Sequence, residues 1–118
     1  MSDLHTRLAS FIYAARGLRV LARQPHARIH LAAAVGVVAL AAYLRVSLGE
    51  WLALILAITL VLATEALNTA LEHVVDIASP DWSPLARDAK DVAAASVLIS
   101  AIGAACVGAL IFLPRFIW

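Results

Sequence analysis

Thr64-Glu65-Ala66-Leu67-Asn68-Thr69-Ala70-Leu71-Glu72-His73-Val74-Val75-Asp76 continues, without Gly or Pro, an apolar run that begins at Trp51. Wound as a helix at about 100° per residue, Glu65, Asn68, Glu72 and Asp76 share one face. Three carboxyl groups and an amide on one side of so apolar a helix are costly to keep there. In a membrane segment such side chains mark a functional site by default.

Composition places that helix in a bilayer. The 118 residues are 64% hydrophobic and 14% charged, with a mean hydropathy of +0.92. Soluble domains carry roughly 45–50% apolar and about 25% charged residues. The length suits a single domain over residues 1–118. Cys106 is the lone cysteine and lies in an apolar run, which excludes an intramolecular disulfide and a cysteine-based metal cluster. It reads as a small buried apolar residue. The arginines are thinly spread, so no nucleic-acid partner is expected.

Outward from the acidic stretch, three spans and one surface helix are expected. Residues 4–24 place Leu4, Leu8, Phe11, Ile12, Ala15, Leu18 and Ala22 near one face and Arg7, Arg16, Arg19 and Arg23 mostly elsewhere. That is the pattern of an amphipathic helix lying in the membrane interface. With four arginines and no apolar core segment, this region is not expected to be a signal peptide. Gln24-Pro25 ends it. The first span is expected over 29–45, and Arg45 to Glu50 as a tight turn. The second span covers 51–78, with Trp51 as an interface anchor. Ser79 to Pro84 is a loop by its two prolines, with Ser79 or Ser83 initiating the next turn. The third covers 85–113, closed by Pro114-Arg115. Trp82 and Trp118 read as interface anchors. Seven basic residues (Arg7, Arg16, Arg19, Arg23, Arg28, Arg87 and Lys90) fall on one side and Arg45 and Arg115 on the other. The excess predicts a cytoplasmic N-terminus and a cytoplasmic loop before Lys90. Small residues on the third span, Ala104 and Gly108 among them, have the spacing that lets helices approach closely, so a homo-oligomer is expected.

The residues allow a definite chemistry. Glu72 and Asp76, one turn apart and without His or Cys partners, favour a hard cation such as Mg²⁺. Lys90 offers a point charge for phosphate, and Asp91 one more carboxylate. Glu65, about two turns deeper than Glu72, is the candidate general base. A carboxylate near Mg²⁺ with a deeper base is a layout for phosphoryl transfer to an alcohol. A plainer reading has these acids pairing with Arg28, Arg87 or Lys90 to lock the oligomer. His26 and His30 read as polar boundary residues, and His73 as a surface or subunit contact. No Gly-rich phosphate loop is present. A non-enzymatic rival, a cation or proton carrier or an assembly scaffold, meets an obstacle. Only Thr59 is polar between Trp51 and Thr64, so the helix offers no continuous polar path.

The stretch from Glu65 to Asp76, followed by Ala89-Lys90-Asp91-Val92-Ala93-Ala94, resembles the signature of the small prokaryotic integral-membrane diacylglycerol kinase and undecaprenol kinase family. The resemblance covers nearly the whole chain. It implies an all-α membrane protein, a homotrimer of three transmembrane helices plus an N-terminal surface helix, with composite sites between subunits. It implies an ATP- and Mg²⁺-dependent lipid kinase of the bacterial inner membrane, multi-pass, acting on a membrane lipid alcohol. The wording of Arg28-Ile29-His30 and Asn68-Thr69-Ala70-Leu71-Glu72-His73 is closer to the undecaprenol branch than to diacylglycerol. By position, Glu65 matches the general base and Glu72 a metal ligand, with Asn68 and Asp76 as supporting polar neighbours. Lys90 and Asp91 match nucleotide contacts, as do Arg7 and Tyr13 on the surface helix. Where relatives carry a Glu that shares the metal, this chain has Gln24, whose amide oxygen brings no charge. Ser83 stands where relatives often have His.

Overall fold

A computed structural model describes residues 2–117. They form four helices: α1 (Ser2–Ala22), α2 (Pro25–Leu44), α3 (Leu48–Ala78) and α4 (Pro84–Ile117). The last three are long and apolar enough to cross a membrane. Trp118 lies outside the described residues, while Trp82 is exposed at the α3–α4 loop.

Each junction has a local cause. Pro25 opens α2 at its first position, where a missing N–H costs nothing. Gln24 is the extended residue before it and makes no side-chain cap, while Arg28 Nε donates to the Ala22 carbonyl at 2.8 Å and pins the bend. The helix that carries the expected first span thus begins at Pro25, ahead of residue 29. At the far end of α2 the chain closes in a Schellman motif. Arg45 N–H donates to Ala42 O at 3.3 Å and Val46 N–H to Ala41 O at 3.2 Å. Arg45 takes the left-handed conformation (φ 54°, ψ 53°), which costs a non-glycine residue about 1–2 kcal/mol. Val46 and Ala41 offset that cost by packing together with Leu54 and Ile111.

The expected turn from Arg45 to Glu50 is shorter than the sequence suggests, because α3 already begins at Leu48. Ser47 and Glu50 form a reciprocal capping box: Glu50 N–H donates to Ser47 Oγ at 3.2 Å, and Ser47 N–H to Glu50 Oε1 at 2.9 Å. At the start of α4, Ser83 rather than Ser79 is the cap, its Oγ accepting from Ala86 N–H at 3.1 Å. Pro114 does not close α4, which runs on to Ile117. One proline near a helix end forfeits a single backbone bond. The last turn is held by Arg115, whose Nη1 donates to Ile111 O at 2.5 Å and whose guanidinium forks onto Glu50.

The four helices do not close on themselves. Their extents are 54 × 46 × 20 Å and the radius of gyration is 17.7 Å, against about 13 Å for a compact chain near this length. α4 packs along α3, α2 leans on α3, and α1 touches α2 and α3. The largest buried residues are aliphatic, and large apolar side chains such as Val35, Leu56, Ile99 and Leu110 face outward. In water that surface would aggregate; in hydrocarbon it is solvated. The chain is therefore a membrane protein. Cys106 also faces outward, contrary to the buried position read from the sequence, because the apolar run winds round every side of α4 and Ala104 and Val107, not Cys106, take the side toward α3. On α1, Leu4, Phe11 and Leu18 are exposed along with the arginines.

Candidate active site

Glu65 sits at mid-length of α3 and is 3% exposed. Its Oε1 lies 2.8 Å from Nδ1 of His30, which α2 brings across from one turn beyond His26. The approach is close but off the hydrogen-bond axis, and His30 Nδ1 is sealed from solvent with no hydrogen bond elsewhere. Both side chains line a cleft of about 260 Å³ with His26, Asn68, Ala94, Val97, Leu98 and Ala101.

One turn on, Asn68 Nδ2 donates to Glu72 Oε1 at 3.1 Å. The amide oxygen Oδ1 of Asn68 is buried and has no partner, which leaves an unused acceptor beside a carboxylate. Another turn on, Asp76 Oδ1 accepts from Lys90 Nζ at 2.5 Å, joining α3 to α4. Asp76 and Lys90 line a second cleft, about 280 Å³, with Trp82, Ser83 and Arg87 at the α3–α4 loop. Asp91 meets Arg87 within α4 at 3.6 Å, with both side chains 65% exposed. The four polar residues of the α3 face thus form a ladder from a buried carboxyl to an exposed one.

Not every candidate joins that ladder inside one protomer. Arg7 and Tyr13 are exposed on α1, where Arg16 stacks over the Tyr13 ring at 5.7 Å. Among the described residues, no hydrogen bond or ion pair links Arg7, Tyr13 or Gln24 to Glu72. Nor do three His, Cys, Asp or Glu groups converge as a ready metal centre among them. Asn68 meets Glu72 through its amide N–H rather than its oxygen, so the Glu72 carboxylate is the hard oxygen ligand at this level, the donor type that suits Mg²⁺.

The plainer reading of the sequence, acids paired with Arg28, Arg87 or Lys90, holds for Lys90 and Arg87 but not for Arg28. Arg28 serves the Ala22 carbonyl and Arg87 serves Asp91, while Asp76 takes Lys90 within the protomer. His30 is the residue that sequence reasoning leaves at the membrane boundary and the structure brings to Glu65. Its helical phase on α2 was the available signal, but the phase alone does not name the facing helix. His73 Nδ1 lies 2.8 Å from the carbonyl oxygen of Thr69 on its own helix.

The fold is that of an integral-membrane protein whose apolar helices carry a polar row starting at a buried carboxyl. The family model described as prokaryotic diacylglycerol kinase matches residues 12–112, a stretch that holds every candidate except Arg7. An undecaprenol kinase of Bacillus subtilis is 37% identical over 115 residues, covering 97% of this chain and 94% of the relative. A diacylglycerol kinase of Synechocystis is 41% identical over 109 residues, covering 91% of this chain and 62% of that protein. One from Helicobacter pylori is 40% identical over 65 residues, 55% of this chain and 51% of the relative. The chain belongs to the prokaryotic diacylglycerol kinase family. It is a membrane-bound lipid kinase, and the carrier and scaffold readings fall away.

Proposed function

We propose that this kinase transfers the γ-phosphoryl group of ATP to the hydroxyl of a membrane lipid alcohol, undecaprenol ahead of diacylglycerol, in a Mg²⁺-dependent reaction. The observation that carries the reading is Glu65, a carboxyl group buried on an apolar helix and lining a cleft. Glu65 takes the proton of the lipid hydroxyl as its oxygen attacks the γ-phosphorus and ADP leaves. Asn68 steadies Glu72 through its amide N–H. Glu72, with the Gln24 amide, would hold the metal. When bound, Mg²⁺ neutralises charge on the β- and γ-phosphates. Lys90, placed by Asp76, meets phosphate oxygens; Asp91 contacts the nucleotide, as do Arg7 and Tyr13 from α1.

The assembly belongs to the same reading: a homotrimer with sites shared between subunits. The open, flattened protomer supports it, since among the described residues no hydrogen bond or ion pair joins Gln24, Arg7 or Tyr13 to Glu72. So do Gly103 and Gly108 on α4, where an added Cβ would meet nothing within 4 Å and a second helix could approach closely. The lysine and arginines around the α3–α4 loop and α1 support an N-terminus in the cytoplasm, with the chain in the bacterial inner membrane. Undecaprenol is favoured by the wording around Arg28-Ile29-His30 and by the coverage of the Bacillus relative.

The test is a lipid panel with labelled ATP and Mg²⁺, run on the wild type, Glu65→Gln and Glu72→Ala. Label should enter undecaprenol more readily than diacylglycerol, and Glu65→Gln should lose about 10²–10⁴-fold in turnover while still binding ATP. Label entering no lipid alcohol, or full turnover in Glu65→Gln, would sink the mechanism.

A further inference from the structure

We infer that His30 is the positioning residue of Glu65: it holds one carboxylate oxygen so that the other can meet the lipid hydroxyl. The inference rests on the reading of Glu65 as the base. An unprotonated ring nitrogen and a carboxylate oxygen would repel at 2.8 Å, since both present lone pairs. A small turn of the imidazole would aim an Nδ1–H at Glu65 Oε1, 2.8 Å away, and give the otherwise unpartnered Nδ1 its acceptor. The pair is shielded, with the Glu65 side chain 4% and the His30 side chain 26% exposed, so water does not compete strongly for it.

Polar neighbours on α3 are engaged elsewhere. Thr64 Oγ1 lies 2.8 Å from Ser100 Oγ, and Asn68 gives its amide N–H to Glu72. That leaves the Glu65 carboxylate to be oriented from α2. His30 also lines a neighbouring apolar cleft of about 270 Å³ with Val37, Ile58, Val61 and Phe112, as well as the polar cleft it shares with Glu65. It stands where apolar lining gives way to the acid, which is where a hydroxyl at the end of an apolar chain would arrive. Without His30 the carboxylate is free to rotate away from that hydroxyl, and small misplacements of a reacting group are expensive in rate.

The experiment compares His30→Ala, His30→Gln, Glu65→Gln and the double variant His30→Ala/Glu65→Gln in detergent, with thermal unfolding as a check on folding. His30→Ala should lower kcat by about tenfold to a hundredfold with KM for ATP unchanged. His30→Gln keeps an N–H donor and should recover part of that loss. In the Glu65→Gln background, His30→Ala should cost nothing more, because the two act as one unit. Wild-type kcat in His30→Ala overturns the inference, as does a further loss of the same size in the double variant. So does an equal loss in His30→Ala and His30→Gln that tracks a lowered unfolding temperature. Full turnover in Glu65→Gln is a separate result and overturns the base assignment itself.

Discussion

Lys90 Nζ lies 2.5 Å from Asp76 Oδ1, so the last turns of α3 and the first turns of α4 meet through one ion pair above a loop of residues 79–83. The lysine side chain is 40% exposed and the aspartate 64%. Exposed pairs of this kind add little stability. The contact matters for where it leaves the ammonium, at the rim of the cleft that Ser83 and Arg87 also line.

Replacing Lys90 by Met should raise KM for ATP by about tenfold, the loss of one charge-assisted contact, and leave KM for the lipid as it was. Asp76→Asn should have a smaller effect in the same direction, since the lysine keeps its charge but loses its guide. Steady-state kinetics at varied ATP, and separately at varied lipid, read both. An altered lipid KM with ATP unaffected would place Lys90 at the wrong substrate.

Gln24 ends α1 and precedes α2 without making a side-chain cap, so its amide can be changed without losing a helix bond. Gln24→Glu should shift the Mg²⁺ concentration for half-maximal activity downward, because a second carboxylate raises the charge of the oxygen donor set. A Mg²⁺ titration of both proteins is the measurement. An unchanged midpoint means that Gln24 stands away from the metal.

At the opposite end, Arg115 bonds both oxygens of Glu50, at 2.7 and 2.8 Å, while Glu50 also closes the capping box of α3. Arg115→Ala should therefore lower the thermal midpoint in detergent without changing KM for ATP. Arg115→Lys should fall between, since an ammonium cannot reproduce the planar fork. A kinetic defect with an unchanged midpoint would show that this end reaches the chemistry.

Periodicity along one helix was enough to place Glu65, Asn68, Glu72 and Asp76 on a common face, and hydropathy was enough to count the membrane helices. Both are properties of residues within about a turn or two of each other, fixed by 3.6-residue winding and by transfer into hydrocarbon. The Ser47 and Glu50 capping box is equally local, although the stretch from Arg45 to Glu50 reads as a turn in sequence. Pro114 misled because a proline stops a helix only when nothing else holds the last turn. Arg115, bonded to Ile111 and to Glu50 in a distant part of the chain, does so.

What the sequence determined by itself, then, was the bilayer, the helices and the row of polar groups on α3. The tertiary structure decided the partners: His30 for Glu65, Lys90 for Asp76 and Ser100 for Thr64. Helical phase says which side chains point the same way, but a pair across two helices depends on crossing angle, depth and rotation. Those are set by how α2 and α4 pack against α3, and no short stretch of sequence encodes them.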